Sequence, residues 1–196
     1  MFDDPPHAHT SRGFNLSRWA IDHGNFTAFL LVLLLAAAAS ATTLVQLSLD
    51  DMIRMSTSIV RARVTGSYAE RRGADIYTHY RLEILEQWKG SGQTDVAVPG
   101  GAIGPERQTV AGAPVLAAGQ ERVLFLWTSP SGLTQVIGLT QGLFSVRSEA
   151  TGAALAERPA ATETMLDSRG RLVRDQPVSL SLPDLRTRVR QSLEAR

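Results

Sequence analysis

No cysteine occurs in the 196 residues, which excludes a disulfide framework, a thiolate metal site and a thiol nucleophile together. The core must hold by packing. An excess of charge of one sign is missing too: 20 Lys plus Arg stand against 19 Asp plus Glu. So weak a net field steers no polyanion, and nucleic acid is set aside as a partner. Histidine is scarce, and His79 is the only one beyond the N-terminal segment, which rules out a zinc site built from several imidazoles. His79 shares strand parity with Asp75 and Tyr77, but residues four apart on a strand are separated by roughly 13 Å, so Asp75 does not orient it as a base. The glycine-rich stretch Pro99-Gly-Gly-Ala-Ile-Gly lacks the Lys-Ser/Thr of a phosphate-binding loop. No catalytic, metal or cofactor signature stands out, and no cofactor is expected.

Long apolar runs are also rare, with one exception. From Gly24 to Leu49 no residue is charged, and within that span Phe29 to Ala39 reads Phe-Leu-Leu-Val-Leu-Leu-Leu-Ala-Ala-Ala-Ala. Arg12 and Arg18 lie upstream, and Ala39-Ser40-Ala41 gives the small-x-small pattern of a signal-peptidase site, with Thr42 as the new N-terminus. An uncleaved transmembrane anchor over residues 26–45 is the rival reading, since about 20 apolar residues span a bilayer. Under either reading the charge flanks keep the N-terminus inside. The domain is then exported, whether periplasmic, secreted or anchored to the inner membrane and facing out.

The remainder reads as mostly β. Ser48 is a plausible N-cap for a short helix over Leu49 to Met55, with Leu49, Met52, Ile53 and Met55 toward the core. Ser58 to Tyr68 alternates like a strand. Asp75 to Trp88 carries Ile76, Thr78, Tyr80, Leu82 and Ile84 on one parity, and a slip at Leu85 predicts a bulge. Short strands are expected at Thr94 to Val98, Arg122 to Trp127, Leu133 to Ile137 and Gly142 to Val146, with Gly100 to Pro105 the least structured stretch. The near-repeat Gly-Leu-Thr-Gln at 132 and 138 is read as two adjacent strands of similar pattern. Asp167-Ser-Arg-Gly is placed at the tip of a hairpin. Ser181 caps a helix with Leu185, Val189 and Leu193 along one stripe, which docks on the domain.

The expected architecture is a small closed OB-like barrel of five or six strands with a short N-terminal and a C-terminal helix, preceded by an apolar export helix. Its divisions are 1–41 for signal peptide or anchor with leader, 42–147 for the barrel, and 148–196 for the hairpin and amphipathic helix.

Three stretches carry a resemblance: Ile59-Val-Arg-Ala-Arg-Val, Tyr80-Arg-Leu-Glu-Ile-Leu-Glu-Gln-Trp-Lys-Gly and Ala118-Gly-Gln-Glu-Arg-Val-Leu-Phe-Leu. In that order they resemble the netrin-like superfamily of OB-fold proteins, which includes the tissue inhibitors of metalloproteinases. In the inhibitor branch the mature N-terminal residue chelates a protease's zinc through its α-amine and carbonyl, and the next side chain enters the specificity pocket. The resemblance carries those roles to Thr42 and Thr43, with a secreted protease or another envelope protein as partner. The family's cysteines, which staple that strand to the barrel, are absent here. The function expected is a non-enzymatic binding module. Its alternatives are an envelope-anchored scaffold domain, or a carbohydrate-active or hydrolytic domain using carboxylates such as Asp75 and Glu83.

Overall fold

In a computed structural model that describes residues 43–148 and 152–195, the chain is mostly β with two helices. Both Thr42 and the apolar run expected to direct export lie outside the described residues. The last three positions of the 26–45 window form strand β1 (Thr43–Val45). Among the described residues no helix is long and apolar enough to cross a membrane. Ala41–Arg196 is one unit.

Helix α1 (Leu49–Met55) starts where Ser48 accepts from the amide of Asp51 while the Asp51 carboxylate reaches back to the Ser48 backbone, a reciprocal capping box. Met52 and Ile53 are buried as expected. Met55 is not: it is 55 % exposed, because the helix ends there and the chain turns at Ser56 into β2 (Ser58–Arg72).

Strand β2 pairs with β3 (Asp75–Lys89), and the ladder passes from Arg61↔Glu86 to Ala62↔Ile84, leaving Leu85 as the extra residue. A second shift skips Trp88, so the strand bends twice near its end. The Trp88-Lys89-Gly90 sequence there has a separate task for each residue. Trp88 packs on the core, and Lys89 Nζ donates to the carbonyls of Ile53 (2.6 Å) and Arg54 (3.1 Å), placing a cation on the C-terminus of α1. Gly90 takes a φ of 67° beside the Thr57 carbonyl, where any Cβ would collide.

The main sheet continues through β4 (Asp95–Pro99), β7 (Glu121–Thr128), β8 (Thr134–Val136), β9 (Leu143–Ser148), β10 (Ala154–Arg158) and β13 (Val178–Ser181). Its order is β13-β10-β9-β7-β2-β3-β4, with β8 on the edge of β7 beside β9. These are eight strands rather than five or six. The expected closed barrel is not found: the ladder is an open path, and no backbone hydrogen bond among the described residues joins β4 to β8, although their Cα atoms approach within 8 Å.

Two further small sheets complete the set. β5 (Gly101–Ile103) and β6 (Glu106–Gln108) form a hairpin that begins in Gly100 to Pro105, the stretch expected to be the least structured. β11 (Thr164–Leu166) and β12 (Leu172–Val173) form the hairpin closed by Asp167, and β1 adds to it in parallel.

Strand β7 sits in the middle of the main sheet, and its alternate residues feed two cores. Val123 and Phe125 join Ile53, Ile59 and Phe144 under α1 and helix α2 (Leu182–Glu194). Leu124 and Leu126 join Val60, Val64, Leu82 and Val96 inside the curl of the sheet. That double burial is why Val-Leu-Phe-Leu is apolar without interruption. Helix α2 begins at the Ser181 cap and buries Leu182, Leu185 and Val189. Two of its arginines are spent on the domain: Arg188 holds Asp50 at 2.7 Å and Arg186 lies 3.4 Å from Glu86.

Candidate binding surface at the N-terminal strand

The strand carrying Thr43 is fixed by polar contacts rather than by covalent staples. β1 runs parallel to β11 with Thr43↔Thr164, Leu44↔Met165 and Val45↔Leu166 in register, and the Gln46 amide extends the pairing by donating to Leu166 O at 2.8 Å. From the opposite side Gln141, 1 % exposed, uses both ends of its amide. Its Nε2 donates to Val45 O at 3.0 Å, and its Oε1 accepts from the Leu47 amide at 2.8 Å. A buried side chain that satisfies one backbone donor and one acceptor has the reach of a short strand, and its loss would strand both.

Alternation then sorts the faces of this small sheet. Met165, 1 % exposed, points inward beside Leu44 and Val173. The opposite face carries Thr43, Val45, Leu166 and Leu172, and Val45 and Leu172 are 56 % and 76 % exposed. Register puts Val45, Leu166 and Leu172 side by side across the three strands. An apolar row of this kind next to Thr43 is a surface that a partner strand or loop can cover.

Behind the small sheet lies a buried ion pair. Arg158 donates to Asp175 through two bonds of 2.5 and 3.1 Å, with side chains 6 % and 2 % exposed, and the Ala161 amide adds a third bond at 2.8 Å. Burial pushes the Asp175 carboxyl up, but the Arg158 guanidinium and the Ala161 amide outweigh it and hold it below the usual carboxylate range.

The other residues with chemistry are engaged in the sheet. Asp75 accepts from the Gln108 amide at 3.0 Å, and Glu83 pairs with Arg63 at 3.1 Å across β2 and β3. Glu86 accepts from Arg61 at 2.6 Å and from the Trp88 indole at 3.1 Å. His79 does have a carboxylate partner, and it is Asp95 rather than Asp75: His79 Nδ1 lies 2.5 Å from Asp95 Oδ1. Tyr68 stacks on the imidazole with centroids 4.9 Å apart and donates its hydroxyl to Asp95 at 3.1 Å. The nearby hydroxyl of Thr134 is bonded to Thr128 at 2.9 Å. Among the described residues no group of three or more His, Asp or Glu is placed to hold a metal.

The sequence signal for Asp95 was the hairpin itself. Pairing β3 with β4 sets His79 opposite Ala97, and Asp95 is its diagonal neighbour on the same face. Gln141 had no such signal, because the second Gly-Leu-Thr-Gln copy is a turn and not a strand. Gly138 and Leu139 there have φ of 59° and 56°, whereas the first copy runs into β8. Comparison with protein-family models, with curated proteins and with solved structures finds no match for this chain.

Proposed function

We propose that this chain is an exported, non-enzymatic binding module that engages a secreted or envelope protein through its N-terminal strand. The observation that carries this reading is the row Thr43, Val45, Leu166 and Leu172 on the outer face of a sheet held in place by Gln141 and β11. A binding segment fixed before it meets its partner loses less entropy on association. The Gln141 clamp takes up the duty of the cysteines missing from the netrin-like pattern.

Under this reading the curl of β2, β3, β4, β7 and β8 is an OB-like barrel left unzipped at one seam. Cleavage after Ala41 presents the α-amine of Thr42 and the side chain of Thr43 to the partner, as in the inhibitors that the sequence resembles. An α-amine of ordinary pKa, about 7.7–8.0, is available as a ligand near neutral pH.

The test is N-terminal sequencing of the exported product, followed by assay of that product against a panel of secreted metalloproteases. Slowing of a protease that disappears when one residue is added before Thr42 is the expected result. A product whose N-terminus is Met1, or mature protein that slows none of the panel, removes the inhibitor-like reading. Loss of binding to a captured envelope protein in Val45→Glu and Leu172→Glu would keep the module and drop the protease.

A further inference from the structure

The seam between β4 and β8 has a consequence on its outer side. Where the ladder is interrupted, the surface sinks into a cleft of about 530 Å³, a size within the range of small-molecule sites. Val98 and Val136, which belong to the inner core, are part of its lining. Met55 at the end of α1 and Trp127 on β7 stand over it, 55 % and 42 % exposed. They are two of the large apolar side chains that this fold leaves in water.

The lining decides what the cleft accepts. None of the twelve described residues that line it is ionisable, so a charged guest would lose its hydration with no counter-charge from them to replace it. Pro99 and Pro114 lie in the wall and have no backbone N–H, which counts against an added peptide strand, whose affinity comes from main-chain bonds. Among the described lining residues one has a side-chain amide. It is Gln135, which pairs with Trp127 in the β7–β8 register, and no hydrogen bond engages its side chain among the described residues. Leu139 completes the wall from a left-handed backbone conformation, φ 56°, which leucine rarely adopts. Non-glycine strain of this kind concentrates at ligand clamps.

We infer that this cleft is a binding site for an uncharged, largely hydrophobic small molecule, an aryl or acyl body with one hydrogen-bonding group directed at Gln135. The cleft borders the Gln141 clamp through Leu47 and the Gly138–Leu139 turn, but it does not include the outward row of Thr43, Val45, Leu166 and Leu172, so its ligand is tested independently of the protein partner proposed above. Methionine and tryptophan suit such a guest, because Met55 can repack around it and Trp127 gives it a flat face.

The experiment is a fluorescence titration of the full chain with two probes that share a ring body and differ in charge, neutral N-phenylnaphthylamine and anionic anilinonaphthalenesulfonate. The expected result is saturable, one-to-one binding of the neutral probe and at least about tenfold weaker binding of the sulfonate, as burial of an unpaired charge requires. Met55→Glu and Trp127→Ala, both at the exposed rim, are each expected to weaken the neutral probe about tenfold with the far-ultraviolet circular dichroism unchanged. Comparison with the parent chain cancels any probe bound elsewhere. Equal affinity for the two probes, or neutral-probe binding that neither variant changes, overturns the proposal. So does a parent chain that binds no neutral probe and is a dimer which Met55→Glu dissociates, since the cleft would then be an interface between copies.

Discussion

The main sheet and the small sheet that carries Thr43 are held by different forces. In the main sheet β7 is buried on both faces and the work is done by shape: Phe125 and Phe144, fully buried, meet with ring centroids 5.6 Å apart. The small sheet has three short strands and a single fully buried apolar side chain, Met165. Its position depends on a buried ion pair and one glutamine. Apolar packing tolerates small changes of shape, whereas a buried polar network fails when one member is removed. A chain without cysteine thus fixes a peripheral strand by satisfying buried polar groups.

Four substitutions sharpen the contrast. Phe125→Ala should cost about 3–5 kcal/mol in global stability, seen as a lower midpoint in chemical denaturation of the whole domain. Arg158→Ala should cost about 3 kcal/mol, because it leaves the Asp175 carboxylate buried without its cation, and its effect should fall first on β1, β11 and β12 in hydrogen exchange.

The same pair carries a pH dependence. The Asp175 carboxyl is depressed in the folded state, so its contribution is complete above the ordinary carboxylate pKa of about 3.9 and is lost as pH falls through the lower folded value. Exchange at the Gln46 amide should therefore accelerate below about pH 4, and Asp175→Asn should remove that acid step. The smallest effect belongs to Gln141→Leu, which leaves Val45 O and the Leu47 N–H unpaired at a cost of about 2 kcal/mol. Loss of protection at Leu47 with the main-sheet amides unchanged is the expected pattern. A uniform loss across all strands in either small-sheet variant would show that the two sheets are one cooperative unit.

The parts of the fold legible in the sequence are those governed by local chemistry. The Ser48 and Ser181 caps, the bulge at Leu85 and the turn at Asp167 each follow from residues within a few positions of one another. Strand β10 was hidden, since Ala-Leu-Ala-Glu-Arg has helical composition and becomes a strand through pairing with β9 and β13. Barrel closure was illegible for a related reason: alternation identifies a strand's faces but says nothing of whether the edges of β4 and β8 meet. At the candidate sites, Thr43 is named through the resemblance alone. Gln141, Asp95 and the cleft were not read from the sequence, as each depends on residues that tertiary pairing brings together. The near-repeat shows the limit plainly, because two identical tetrapeptides give one glutamine that lines a cleft and another that clamps a strand.

The amide clamp at Gln141 makes the placement of β1 indifferent to oxidant and reductant alike. A chain of this design forms the β1 pairing without thiol oxidases or isomerases and should keep it in dithiothreitol. The exposed row beside Thr43 is then governed by the local acidity around Asp175, not by a thiol–disulfide poise.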